Sequence, residues 1–245
     1  MAGHSKWHNI QRAKGVQDAK RGKIFTKIAR EIIVAVKESG IGDPANNSRL
    51  AAAIAKAKAA NMPNDSIKRT IEKALGVGGG DNYESITYEG YGAGGIAVIV
   101  EAMTDNRKRT AAEMRHLFDK YGGNLGTSGC VSWSFDRKGI IVIDNEDGGL
   151  DEDQVLTDAL EAGAEDMETG DAVFEIQTSP DDFTAVNNAL SDAGYMFLSA
   201  QVEMVPQNYM TLSSPDDIKN LSKMLDLMED DDDVQNVWHN AVKPQ

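Results

Sequence analysis

The sequence predicts an α+β protein of three domains: an N-terminal three-helix domain followed by two α/β sandwich domains, one of them ferredoxin-like. Three observations lead there. The hydrophobic period is helical as far as residue 75 and strand-like with interspersed helices beyond it. The run Gly76-Val77-Gly78-Gly79-Gly80 has no packing demand and separates the two regimes. The charge changes sign at the same place: residues 1–80 carry +9 and residues 81–245 carry −23 within a total of −14. A chain of 245 residues is long enough for two or three domains.

Taken in order, residues 1–22 are polar, basic and without periodicity, and are read as a flexible arm. Residues 24–38 place Ile24, Ile28, Ile32 and Val36 at steps of four, with Phe25, Ala29 and Ile33 alongside, the stripe of an amphipathic helix ended by Gly40. A second helix is expected over 46–60, with Leu50 and Ile54 inward and alanines supplying propensity. A third covers 65–75, with Ile67, Ile71, Ala74 and Leu75 on its apolar face and Gly76 behind it. Beyond the glycine run, 83–89 and 96–103 read as strands joined by Gly90-Tyr91-Gly92-Ala93-Gly94-Gly95, and 106–121 as a helix. Strands are expected at 131–135 and 139–144 around a turn at Arg137-Lys138. Helix 151–162, strands 165–168 and 171–177, helix 181–193 and strand 196–205 complete a βαββαβ order, the split βαβ sandwich. Ser214-Pro215 starts a last helix with Ser at N-cap and Pro at N1, and 234–239 is a closing strand. These last elements complete the core of 81–130. The expected domains are therefore 1–80, 81–130 plus 206–245, and an inserted 131–205.

Composition excludes several classes. No stretch approaches the ~18 consecutive apolar residues of a membrane span. The first residues lack the apolar core of a signal peptide, and the single cysteine, Cys130, fits a reducing cytoplasm. A cytoplasmic location is expected. Gly90-x-Gly92-x-x-Gly95 matches a dinucleotide fingerprint as a string, but the strand Ile96–Val100 follows it where a helix is required, so a hairpin turn is expected. His4 and His8 are spaced as helical zinc ligands without a cysteine or carboxylate nearby and are read as surface residues. Asp230–Asp233 lacks the order of an EF-hand loop and is read as a solvated acidic loop. Cys130 has no evident base partner and is read as a small buried residue at a strand start. No nucleophile–base pair and no cofactor motif is readable, so neither catalysis nor a cofactor or metal is expected.

The basic N-terminal stretch carries the positive reading. A cation run is ordinarily a solvated face, but here the excess persists over 80 residues while the rest of the chain runs strongly the other way. Such a stripe is the electrostatic footprint of phosphate binding. The candidate contacts are Lys6, Arg12, Lys14, Lys20, Arg21, Lys23, Lys27 and Arg30. Trp7 and His8, set among them, are candidates for stacking on unpaired bases; for Trp7 the alternative is docking on the chain's own helices. Helix 24–38 spends most of its face on packing, which favours backbone-led binding over major-groove readout. The acidic body is expected to point away from the polymer or engage a basic protein surface.

The opening MAGHSKWHNIQRAKGVQDAKRGKIFTKIAREI resembles the start of the YebC/PmpR family of transcriptional regulators, related to a mitochondrial translational activator. The likeness continues through AKAKAANMPNDSIKRTIEKA at 55–74, YEGYGAGGIAVIVEAMTDNRKRTAAEMRH at 88–116 and GGNLGTSGCVSWSFDRKG at 122–139. It implies three domains with a helical first domain, and nucleic-acid binding without catalysis. The expected function is a DNA-binding transcriptional regulator. The alternatives are a ribosome- or RNA-associated translation factor and an acidic scaffold that binds a cationic protein.

Overall fold

The computed structural model describes residues 17–76, 83–170 and 172–242. In chain order the elements are α1 (Gln17–Ser39), α2 (Ser48–Ala59), α3 (Asn64–Leu75), β1 (Glu84–Tyr91), β2 (Ala97–Thr104), α4 (Arg107–Lys120), β3 (Asn124–Leu125), β4 (Phe135–Asp144), α5 (Glu152–Ala162), β5 (Asp166–Thr169), β6 (Val173–Thr178), α6 (Phe183–Asp192), β7 (Phe197–Pro206), β8 (Met210–Thr211), α7 (Pro215–Asp230), β9 (Val234–His239) and β10 (Ala241–Val242). The fold is α+β, with an N-terminal helical region and two sheet domains. By contact the described residues form two compact units, one drawn from 17–132 with 212–242 and the other from 133–211. Among the described residues no helix is long and apolar enough to cross a membrane.

In the first unit, α1 buries Ile28, Ile32, Ile33, Ala35 and Val36 against Leu50, Ala53 and Ala57 of α2 and Ile67 and Ala74 of α3. Ile24 and Leu75, expected inward, are 43% and 46% exposed because they lie at the margins of their stripes. Residues 17–23 already belong to α1, ahead of the expected start at residue 24. Residues 17–22, read as part of the arm, are therefore helical; Gln, Ala, Lys and Arg favour helix without any apolar period to reveal it. The rest of the arm, residues 1–16, lies outside the described residues. α2 closes in a Schellman turn in which the Met62 amide donates to the Ala57 carbonyl at 2.9 Å and Asn61 takes a left-handed φ of 58°.

The same unit carries the antiparallel sheet β3-β1-β2-β9. Met114 and Phe118 of α4 and Leu221, Met224 and Met228 of α7 join Val98 and Val100 of β2 in its core. β1 and β2 form a hairpin whose 3-10 turn places Gly94 and Gly95 at φ 68° and 79°, values that favour glycine. A strand follows, so the glycine string is a turn, as its context suggested. Ser214 caps α7, accepting from the Asp217 amide at 3.3 Å.

The second unit holds the antiparallel sheet β5-β6-β4-β7 with connectivity βαββαβ, the ferredoxin-like order. α5 and α6 cover one face through Val155, Ala159, Val186 and Leu190, packed on Ile141, Ile143, Phe174 and Ile176. One expectation fails here. Residues 135–144 are a single strand, and 132–134 form a 3-10 turn, so there is no hairpin at Arg137-Lys138. Those two residues stay in register opposite Met204 and Glu203 of β7. A ten-residue partner strand carries the ladder through a polar pair that resembles a turn in the bare sequence.

Candidate nucleic-acid interface

Of the ten residues proposed to contact nucleic acid, Lys6, Trp7, His8, Arg12 and Lys14 lie outside the described residues. Lys20 and Arg21 fall in the first turns of α1. The remaining three, Lys23, Lys27 and Arg30, recur every three or four residues and so share one face of α1. That face turns toward the end of α7. Lys23 Nζ donates to the Asp230 carbonyl and to Asp230 Oδ1, both at 3.0 Å. Lys27 Nζ donates to the Glu229 carbonyl at 2.9 Å. Cations thus satisfy the terminal carbonyls of α7, where the helix dipole is negative. Burial outweighs the neighbouring Glu229, Asp231 and Asp232 carboxylates and draws the Lys27 amine below its usual range.

Arg30 goes deeper. Its Nη1 donates to Asp233 Oδ1 at 2.7 Å and to the Met103 carbonyl at 3.3 Å, with the Asp232 carbonyl also in contact. The guanidinium sits 5.0 Å from the centre of the Tyr83 ring. The carboxylate it meets is a node. Asp233 is 5% exposed, and its Oδ2 accepts from Arg109 Nη2 at 2.7 Å, Thr110 Oγ1 at 2.8 Å and Thr104 Oγ1 at 3.0 Å. Burial alone would raise this carboxyl. The hydrogen bonds from Arg109, Thr110 and Thr104, with the Arg30 charge, hold it below the usual carboxylate range instead. One buried anion therefore ties α1 to the start of α4. The run Asp230–Asp233 is not simply a solvated loop: its last member is buried and paired, and the group lines an open cleft with Lys23, Arg30, Arg109 and Glu113.

Other cations of the helical region face outward. Lys58 near the end of α2 and Lys68 and Arg69 in the first turns of α3 are exposed. Lys68 approaches Glu72 only at 4.0 Å. α2 and α3 are joined by residues 60–63 alone, and α1 packs against both while they touch each other little. Asn64 and Asp65 open α3 beside Lys68 and Arg69, so its first turns are polar and exposed.

A second buried anion shapes the loop before residue 133. Glu89 of β1 is buried and accepts from the backbone amides of Gly129 at 2.8 Å, Val131 at 3.0 Å and Ser132 at 2.9 Å. Burial pushes its carboxyl up, but these amides outweigh that and leave it below its ordinary value. Cys130 sits in this loop, half-buried, and not at a strand start. Burial and the nearby Glu89 charge raise its thiol, the opposite of an activated nucleophile.

Sequence reasoning missed Asp233, Thr104, Thr110, Arg109 and Glu89. Asp233 is one of four consecutive aspartates, and nothing in the run marks the buried one. The clue for Glu89 was a carboxylate at an inward-facing strand position.

A family model described as the TACO1/YebC protein N-terminal domain matches residues 5–77, and one described as the TACO1/YebC second and third domain matches residues 83–241. A probable transcriptional regulatory protein of Geobacillus kaustophilus is 57% identical over 240 residues, covering 98% of this chain and 97% of its own. One of Acetivibrio thermocellus is 58% identical over 240 residues, covering 98% of each. The crystal structure of a conserved hypothetical protein from Aquifex aeolicus superposes with a TM-score of 0.84 at 43% identity, covering 94% of this chain and 93% of that one.

Proposed function

The chain belongs to the TACO1/YebC family, and from that premise we propose that it is a non-enzymatic, cytoplasmic regulator of gene expression that binds DNA through its basic N-terminal helical domain. Relatives at this level of identity are named probable transcriptional regulatory proteins. The observation that carries the reading is the α2–turn–α3 unit. Two helices joined by a four-residue turn with a left-handed Asn61 have the order and connection of a helix-turn-helix, in which the first residues of the second helix meet the nucleic acid. Those residues are here Asn64, Lys68 and Arg69, with Lys58 across the turn. Lys23, Lys27 and Arg30 hold α1 against the acidic loop, so within the described residues the phosphate contacts fall to the outward cations. The arm adds Lys6, Arg12 and Lys14, with Lys20 and Arg21 at the start of α1.

The full chain should be retained by bare duplex DNA at moderate salt. The variant K58Q/K68Q/R69Q should bind more weakly on every sequence, with a salt slope shallower by about 0.9 for each phosphate that is no longer neutralised. Equal affinity and slope for the folded variant would contradict the assignment to this unit.

One observation favours an RNA- or ribosome-associated role as the second reading. Residues 133–211 carry eighteen Asp and Glu against only Arg137 and Lys138. Phosphate repels such a surface, whereas a particle that offers both RNA and basic protein accommodates both halves of the chain. Co-sedimentation with ribosomes, without retention on bare DNA, would select that reading.

A further inference from the structure

The acidic part of the chain contains a second cationic surface. Beyond residue 80 there are ten Lys and Arg, and five of them (Arg107, Lys108, Arg109, Arg115 and Lys120) lie on the fourteen residues of α4. A helix in a body of −23 would reach solubility with any charges, so this concentration calls for a cause. The five do not act alike. Arg109 is bound inward to Asp233 and to Asp105 at 2.7 and 2.8 Å. Arg107 lies 3.8 Å from Glu84, and Lys120 stands over the Tyr121 ring at 5.5 Å.

Lys108 and Arg115 remain. Both are exposed, and they stand seven residues apart, two helical turns or about 10 Å along one face. Thr110, Met114, Leu117 and Phe118 are buried on the opposite side, so the Lys108–Arg115 stripe faces solvent. Exposed Ala112 lies between them, a small residue over which an extended backbone can approach closely, and His116 lies beside Arg115. The acids on the outer side of the helix are Asp119, one turn beyond Arg115, and Glu113, on the flank toward Arg109. The stripe is also fixed in place: Arg109 and Arg30 share the Asp233 carboxylate, so α4 and α1 are held together in one compact unit.

We propose that the Lys108–Arg115 stripe of α4 is a second phosphate-binding surface that engages the backbone of the nucleic acid held by the helical domain. The proposal rests on the functional reading above and extends it to an element outside the N-terminal domain. A spacing of about 10 Å covers roughly three base-pair rises along the axis of a duplex. The two side chains therefore contact separate phosphates and release counterions independently. Neither side chain supports the fold, so their replacement is a clean test.

Binding of the full chain to a short DNA duplex of arbitrary sequence is measured by fluorescence anisotropy over a salt series. The variants are K108Q/R115Q and, as a charge-matched control, K219Q/K223Q on the exposed side of α7. K108Q/R115Q should lower affinity roughly ten-fold and flatten the slope of log K against log salt by about 1.8, and the control should change neither. A K108R/R115K exchange keeps both charges and should restore binding. If K108Q/R115Q binds like wild type, the stripe is not a contact surface, while binding by the helical domain stands. If the control loses as much as K108Q/R115Q, net charge and not the stripe is responsible, and the proposal fails. If the wild type does not bind at all, the functional reading falls with it.

Discussion

Glu89 and Asp233 show how single carboxylates organise this protein. Each is buried, and each is surrounded by donors: three backbone amides around Glu89, and two guanidinium groups and two hydroxyls around Asp233. Replacing Glu89 by Gln keeps the shape, removes the charge and turns an NH2 group toward amides that need an acceptor. The E89Q variant should lose about 2–3 kcal/mol of stability in urea unfolding. The pH dependence follows from the direction of the shifts. Both carboxyls lie below their ordinary values in the folded chain, so between the folded and unfolded values the unfolded chain binds more protons and stability rises with pH. Their contribution is full above about pH 5 and is lost as pH falls below about 4. The difference in stability between wild type and E89Q should therefore shrink on acidification. A constant difference from pH 7 to the acid range would contradict this role for the charge.

At the scale of elements, α1 is held by more than its apolar stripe. Arg30 is nearly buried, and its charge is balanced by Asp233. Asp233→Asn removes the balancing charge and should cost about 3–5 kcal/mol, the usual penalty for stranding one partner of a buried pair. Hydrogen exchange should quicken in α1 and in the first turn of α4 together, because both depend on the same anchor. Exchange that quickened in only one of them would argue against a shared node. Much of this layer was legible in the sequence. Periodicity located all three N-terminal helices, α4 to α7 and the βαββαβ order to within a few residues, because each element carries its own apolar face. Other parts were not, among them the short strands β3, β8 and β10. The first turns of α1 have no apolar period, and β4 was divided at Arg137-Lys138 because its pairing with β7 is a long-range property. The Asp233 node was illegible for the same reason: its members lie on α1, β2, α4 and the loop before β9, and only the fold brings them together.

Across the whole molecule the governing feature is the separation of charge. The sequence showed the basic and acidic halves, and it nominated ten residues of the basic half as contacts. The fold divides the described members of that half by role. Lys23, Lys27 and Arg30 fasten the helical region to the acidic loop behind α7, while Lys58, Lys68 and Arg69 stay outward. A variant that neutralises Lys23 would therefore break an internal ion pair and report on the fold as much as on binding. Lys14, Lys20 and Arg21 are the better choice for testing the N-terminal cations. The most direct measurement is the slope of log K against log salt for the full chain on duplex DNA, wild type against K14Q/K20Q/R21Q, with circular dichroism to show that the variant is folded. Binding through these three cations predicts a variant slope shallower by about 2–3, with weaker affinity on every sequence tested. Coincident slopes and equal affinities in a folded variant would contradict the claim that these N-terminal cations grip nucleic acid.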